Sequence, residues 1–105
     1  MKRERPAMSW MNLVEIHYRT TRDHGRQEAE QVLAELRPLV TESLPGIATM
    51  KSVATLKAEH PIALADCFAV ALAAEEEAAL LTGDPEIINR ATHLPCKVVD
   101  LRAAT

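Results

Sequence analysis

The chain predicts a helix-rich α/β protein, a short parallel sheet carrying helices on both faces. Three observations lead there. Alanine occurs 17 times while aromatic residues supply only 3%, so the core is built from Leu, Val, Ile and Ala, the composition of closely packed helices. Apolar residues recur at helical spacing in several segments separated by Pro and Gly. Short apolar runs alternate with those segments, the order from which parallel strands are built.

Residues 1–6 are charged and end in Pro6, which marks a loop leading into a brief extended segment at residues 7–9. Asn12-Leu-Val-Glu15 has the form of a capping box, Asn12 accepting from free backbone amides and Glu15 reaching back, so a helix is expected from about 12 to 23. Gly25 can end it. The next helix places Ala29, Val32, Leu33 and Leu36 opposite Glu28, Gln31, Glu35 and Arg37, and stops at Pro38. Residues 39–41 are expected as a short strand, Pro45-Gly46 as a turn, and Ile47, Met50, Val53, Ala54 and Leu56 as one face of a further helix. His60-Pro61 interrupts the chain. From 62 to 74 every residue but Asp66 is apolar, the pattern of a helix buried on most sides, and Glu75-Glu76-Glu77 restores a solvated end. Residues 78–82 form a buried strand, Gly83-Asp84-Pro85 the turn out of it, 85–90 one or two helical turns, and 97–101 the last strand.

The 105 residues suffice for one domain and no more, and with 48% hydrophobic and 26% charged residues the chain is of the folding, globular class. Apolar stretches stay well short of a membrane span and the N-terminus lacks the apolar core of a secretory signal, so no membrane association is expected. Cys67 and Cys96 stand 29 positions apart with no metal-ligand spacing and suit reduced thiols in the cytoplasm. A net charge of −3 argues against a broad polyphosphate-binding surface. His17, His24, His60 and His93 show no metal-binding pattern. Arg19, Arg22, Lys51, Lys57 and Arg90 suit a solvated helix face, and Trp10 and Tyr18 suit packing better than base stacking.

Three acids stand out by position. Asp66 interrupts a run of twelve apolar residues, where an ionised carboxylate needs compensation; a first-turn position, with free amides and the helix dipole, would supply it. Asp84 follows a strand and precedes Pro85, at the carboxyl edge of the sheet where α/β proteins gather their chemistry, and it also suits a helix cap. Glu15 has a local role in the capping box. If the three converge, their repulsion must be relieved by raised pKa values or by a divalent cation, and an all-oxygen ligand set favours Mg²⁺ or Mn²⁺. Such an ion activates water and neutralises a phosphodiester oxygen, so phosphodiester hydrolysis is the matching chemistry.

The stretches Met8-Ser-Trp-Met-Asn-Leu-Val-Glu15, Ile62-Ala-Leu-Ala-Asp66-Cys-Phe-Ala-Val-Ala71 and Ala79-Leu-Leu-Thr-Gly-Asp84-Pro-Glu86 resemble, in order, spacing and flanking residues, the second, third and fourth acidic motifs of PIN-domain ribonucleases, as in VapC-type toxins. The resemblance runs from about 7 to 101. It implies a PIN-like three-layer α/β/α fold in which Glu15, Asp66 and Asp84 are catalytic and hold Mg²⁺ (or Mn²⁺) while Asn12 and Thr82 line the site. It further implies an RNA substrate cut by metal-activated water, and an antitoxin-like protein as partner.

The family pattern opens with a hydrophobic strand ending in an aspartate at the centre of the sheet. Here the earliest aspartate is Asp23, after the Glu15 motif. The expectation is therefore an N-terminally truncated PIN-like chain, with 1–6 a charged loop remnant, 7–101 a single domain and 102–105 a tail. Flanking strands left with unpaired edges would drive assembly into a homodimer or higher oligomer. The competing reading is a noncatalytic, oligomerising interaction module whose acids persist as helix caps.

Overall fold

The computed structural model describes residues 5–102. Residues 1–4 of the expected charged loop and 103–105 of the expected tail lie outside the described residues. The chain divides into two compact units, Met1–Pro45 and Gly46–Thr105.

In the first unit a short strand, β1 (Ala7–Ser9), runs into α1 (Trp10–His24). The predicted cap is corrected: Ser9, not Asn12, caps this helix, its Oγ accepting from Met11 N at 3.2 Å. Serine's short hydroxyl reaches the free amides of the first turn, and once it does so Asn12 lies inside the helix. Gly25 ends α1 at φ 92°, its amide bonded to Thr21 O, and the next residue already begins α2 (Arg26–Leu36). The two helices pack together, each with one fully buried residue, Leu13 and Ala29, and His17 Nε2 meets Glu30 Oε1 at 2.8 Å between them.

The strand expected at 39–41 is displaced. Arg37–Leu39 forms a 3₁₀ turn instead, and the strand, β2, is Thr41–Ser43. Pro38 has no amide to give a ladder and a φ suited to a tight turn, and the Val40 amide closes the turn onto Arg37 O. β2 lies parallel to β1, with Ala7, Met8 and Ser9 opposite Thr41, Glu42 and Ser43. The helical hairpin is the crossover that a parallel pair requires.

In the second unit α3 (Ile47–Glu59) and α4 (Leu64–Glu75) follow the expected pattern. α4 is nearly apolar all round and Cys67, Phe68, Val70, Ala71, Leu72 and Ala73 are all buried. Ile62, expected at the start of this helix, is buried in the connection before it, where Lys57 Nζ donates to its carbonyl at 2.7 Å. Then β3 (Leu80–Thr82), α5 (Pro85–Ile88), a 3₁₀ turn (Ala91–His93) and β4 (Val98–Asp100) complete the chain. β4 is parallel to β3, and Thr82 stands opposite Asp100. The short parallel sheet read from the sequence is thus present, among the described residues, as two separate pairs of three-residue strands.

Candidate active site

Glu15 lies mid-way along α1, outside the capping role expected of it because the helix begins at Trp10 under Ser9 and not at Asn12. It is one-third exposed, with Arg19 Nη2 at 3.9 Å one helical turn away. Asn12 precedes Glu15 by three residues and so shares its helix face; it is half-buried and held by contacts of its own.

The other two acids belong to the second unit. Asp66 is the third residue of α4, the one acidic residue of the first turn, under an N-cap residue, Ala63, that offers no side-chain bond. The positive end of the helix dipole therefore favours its ionised form, and Asp66 has further interactions of its own. The neighbouring Cys67 thiol is pushed up, chiefly by burial; the negative charge of Asp66 adds to this and the positive charge of Lys57 opposes it.

Asp84 caps α5: its Oδ1 accepts from Glu86 N at 2.9 Å, and its own amide donates to Thr82 Oγ1 at 3.0 Å. Thr82 is the last residue of β3, and its carbonyl takes the Leu101 amide at 2.9 Å. Thr82 and Asp84 are thereby held together at the carboxyl end of β3, the edge where such sheets place their chemistry.

Sequence reasoning passed over Asp100. The strand register sets it beside Thr82 at the same edge, and its Oδ1 accepts from Arg102 N at 2.8 Å and Arg102 Nε at 3.4 Å. The signal was available: Val98-Val99-Asp100 is an apolar run ending in an acid, the same form as the run into Asp84.

Glu15, Asp66, Asp84 and Asp100 offer only carboxylate oxygens, and Thr82 a hydroxyl, the donor chemistry of a hard cation. Among the described residues, however, no three His, Cys, Asp or Glu side chains are gathered as a metal site.

A family model described as PIN domain matches residues 1–93. The chain belongs to the PIN-domain family. The match takes in Glu15, Asp66 and Asp84 and all but the last strand of this PIN domain. A search of solved structures adds the 2.2 Å structure of VapBC-1 from nontypeable Haemophilus influenzae, similar at a TM-score of 0.72 and 20% identity over 95% of this chain and 77% of that one. That likeness is one of fold: the PIN domain is a helix-rich α/β chain, 62% of its described residues helical, with short parallel sheets. Among curated proteins none matches. Among the described residues, no helix of the PIN domain is long and apolar enough to cross a membrane.

Proposed function

We propose that this PIN domain is an endoribonuclease of the VapC toxin type, cutting RNA phosphodiesters in the cytoplasm with the help of Mg²⁺ or Mn²⁺. The observation that carries this reading is the family match, which spans all three acids of the motifs. Glu15, Asp66 and Asp84 are the carboxylates assigned to hold the ion, with Asn12 and Thr82 lining the site. A divalent cation bound there supplies a lowered pKa for an attacking water and neutralises charge growing on the phosphate.

The chain's own groups do the positioning. Thr82 Oγ1 holds the Asp84 amide and so fixes the turn. Asp84 Oδ1 is committed to Glu86 N, which leaves Oδ2 as the oxygen for a cation or water. The first turn of α4 places Asp66 at the positive end of the helix dipole. The free thiols Cys67 and Cys96 suit a reducing compartment. The structural likeness to VapBC-1 supports an antitoxin-like protein as partner.

The test is cleavage of a single-stranded oligoribonucleotide by the purified chain. Activity should require Mg²⁺ or Mn²⁺, vanish with EDTA, and fall about a hundred-fold or more in Asp66→Asn and Asp84→Asn. Calorimetry showing no Mn²⁺ binding that these substitutions remove would overturn the assignment.

One observation favours a second reading, an oligomerising module. β3 is paired with β4 alone among the described residues, and Leu81 at its centre is 57% exposed. A bare, apolar edge strand invites a second chain.

A further inference from the structure

A cleft of about 520 Å³ opens on the helical hairpin of the first unit, lined by His17, Tyr18, Thr21, Arg22 and Arg26. Its size suits a mononucleotide-sized group. Tyr18 is 58% exposed, and the Arg22 guanidinium lies over its ring, 5.5 Å from the centroid. Arg22 is fixed in that pose by Asp23, which takes Nε at 2.9 Å and Nη2 at 3.2 Å. The guanidinium covers one face of the ring, and the exposed remainder of Tyr18 offers a surface on which a planar group can stack.

The remaining groups define what fits. His17 is engaged by Glu30, and the Thr21 hydroxyl donates to His17 O at 2.8 Å. Asp23 is consumed by Arg22. Arg26 has no ion-pair partner among the described residues, so its guanidinium is the cation of the cleft left to meet an anionic group beside the ring. A simple anion would use Arg26 but not the exposed ring. A nucleotide uses both, its base against Tyr18 and Arg22 and its phosphate on Arg26.

The cleft also has a place relative to the assigned acid. Glu15, Tyr18 and Arg19, and Arg22 follow one another at three- to four-residue steps along one face of α1. Seven residues of helix cover about 10 Å, a distance a short single strand spans.

We propose that this cleft is a nucleotide-binding subsite that holds single-stranded RNA away from the scissile bond, with Tyr18 as the stacking residue and Arg26 as the phosphate contact. The inference rests on the ribonuclease reading for its ligand, and deepens it by assigning where the uncut strand lies.

The test is fluorescence anisotropy in EDTA with a labelled twelve-nucleotide single-stranded RNA. Tyr18→Ala and Arg26→Ala should each weaken its binding about five-fold or more. Tyr18→Trp should bind like the wild type. Arg26→Ala should also reduce the slope of log affinity against log salt by about 0.7, the value for one phosphate contact on a single strand, whereas Tyr18→Ala should not. Unchanged RNA affinity in both alanine variants, each folded by circular dichroism, overturns the subsite, as does a wild type that binds no RNA. An acidic peptide that displaces the RNA and depends on Arg26 but not on Tyr18 also overturns it. Loss of the ribonuclease reading looks different: the wild type cuts no RNA in Mn²⁺, yet the two variants still lose RNA affinity.

Discussion

At the scale of single residues, a polar group's role is decided by which neighbour reaches it first. Ser9, 4% exposed, accepts from the Met11 amide and so starts the helix ahead of Asn12, which places Glu15 in the body of the helix and not in its first turn. Arg37 illustrates the same point in the first unit. It binds both carboxylate oxygens of Glu42 and lies 5.2 Å from the centroid of the Trp10 ring, so Trp10 is occupied by a cation within its own unit. The hydrogen bonds from Arg37 hold the Glu42 carboxyl below the ordinary 4.5 of a glutamate. The stability this pair contributes is therefore complete above pH 4.5 and is lost as pH falls through the lowered value. Because the pair is exposed, salt should weaken it. Melting curves of the wild type and Glu42→Gln should differ at pH 6 and draw together as the pH is taken below 4.5 and through the lowered value; a gap that does not narrow would show that Glu42 does not carry the effect. Of the candidate site, Glu15, Asp66 and Asp84 were legible because each stands at a helix face, a first turn or a strand end that sequence spacing marks. Asp100 carries a similar mark, an acid closing an apolar run, but its place beside Thr82 is a matter of strand register, which only the paired backbone supplies.

At the scale of elements, the ends are where backbone chemistry is most exposed to test. α4 closes with Glu77 at φ 51°, and the Ala78 amide returns to Ala73 O at 2.9 Å, a left-handed turn that glycine usually supplies. Replacing Glu77 by Gly relieves the side-chain strain at some entropic cost and should stabilise the chain by about 0.5–1 kcal/mol in urea unfolding. Gly25 gives the opposite sign. Its φ of 92° and ψ of 165° lie in a region essentially reserved for glycine, while a Cβ there would meet open space. Gly25→Ala should therefore cost about 1–3 kcal/mol through the backbone alone; a neutral result would mean that α1 and α2 can be joined by another backbone route. Most of the elements were readable from the sequence: the five helices follow from apolar periodicity and their Gly and Pro boundaries, and β3 and β4 fall inside the runs expected for them. The strand β2 was misplaced because its residues, Thr-Glu-Ser, carry no apolar signal, while the apolar Leu39 and Val40 beside them serve a proline-led turn and a buried contact.

At the scale of the whole molecule, the open question is what meets the edge of β3. The bonds from Leu80 N to Lys97 O and from Leu101 N to Thr82 O commit Leu80 and Thr82 to the β4 side. In a parallel ladder the residue between them, Leu81, then turns its amide and carbonyl the other way. Its side chain is 57% exposed, so this edge offers both backbone pairing and apolar area. A two-stranded sheet gains most from a third strand, since pairs alone are marginal in water. Self-association should therefore rise with protein concentration in sedimentation, and Leu81→Lys, which places a charge on the edge, should shift the chain towards monomer while its helical circular dichroism stays the same. A wild type that remains monomeric over the whole concentration range would rule out the edge as an assembly surface and leave the ribonuclease reading, which does not depend on it, standing alone.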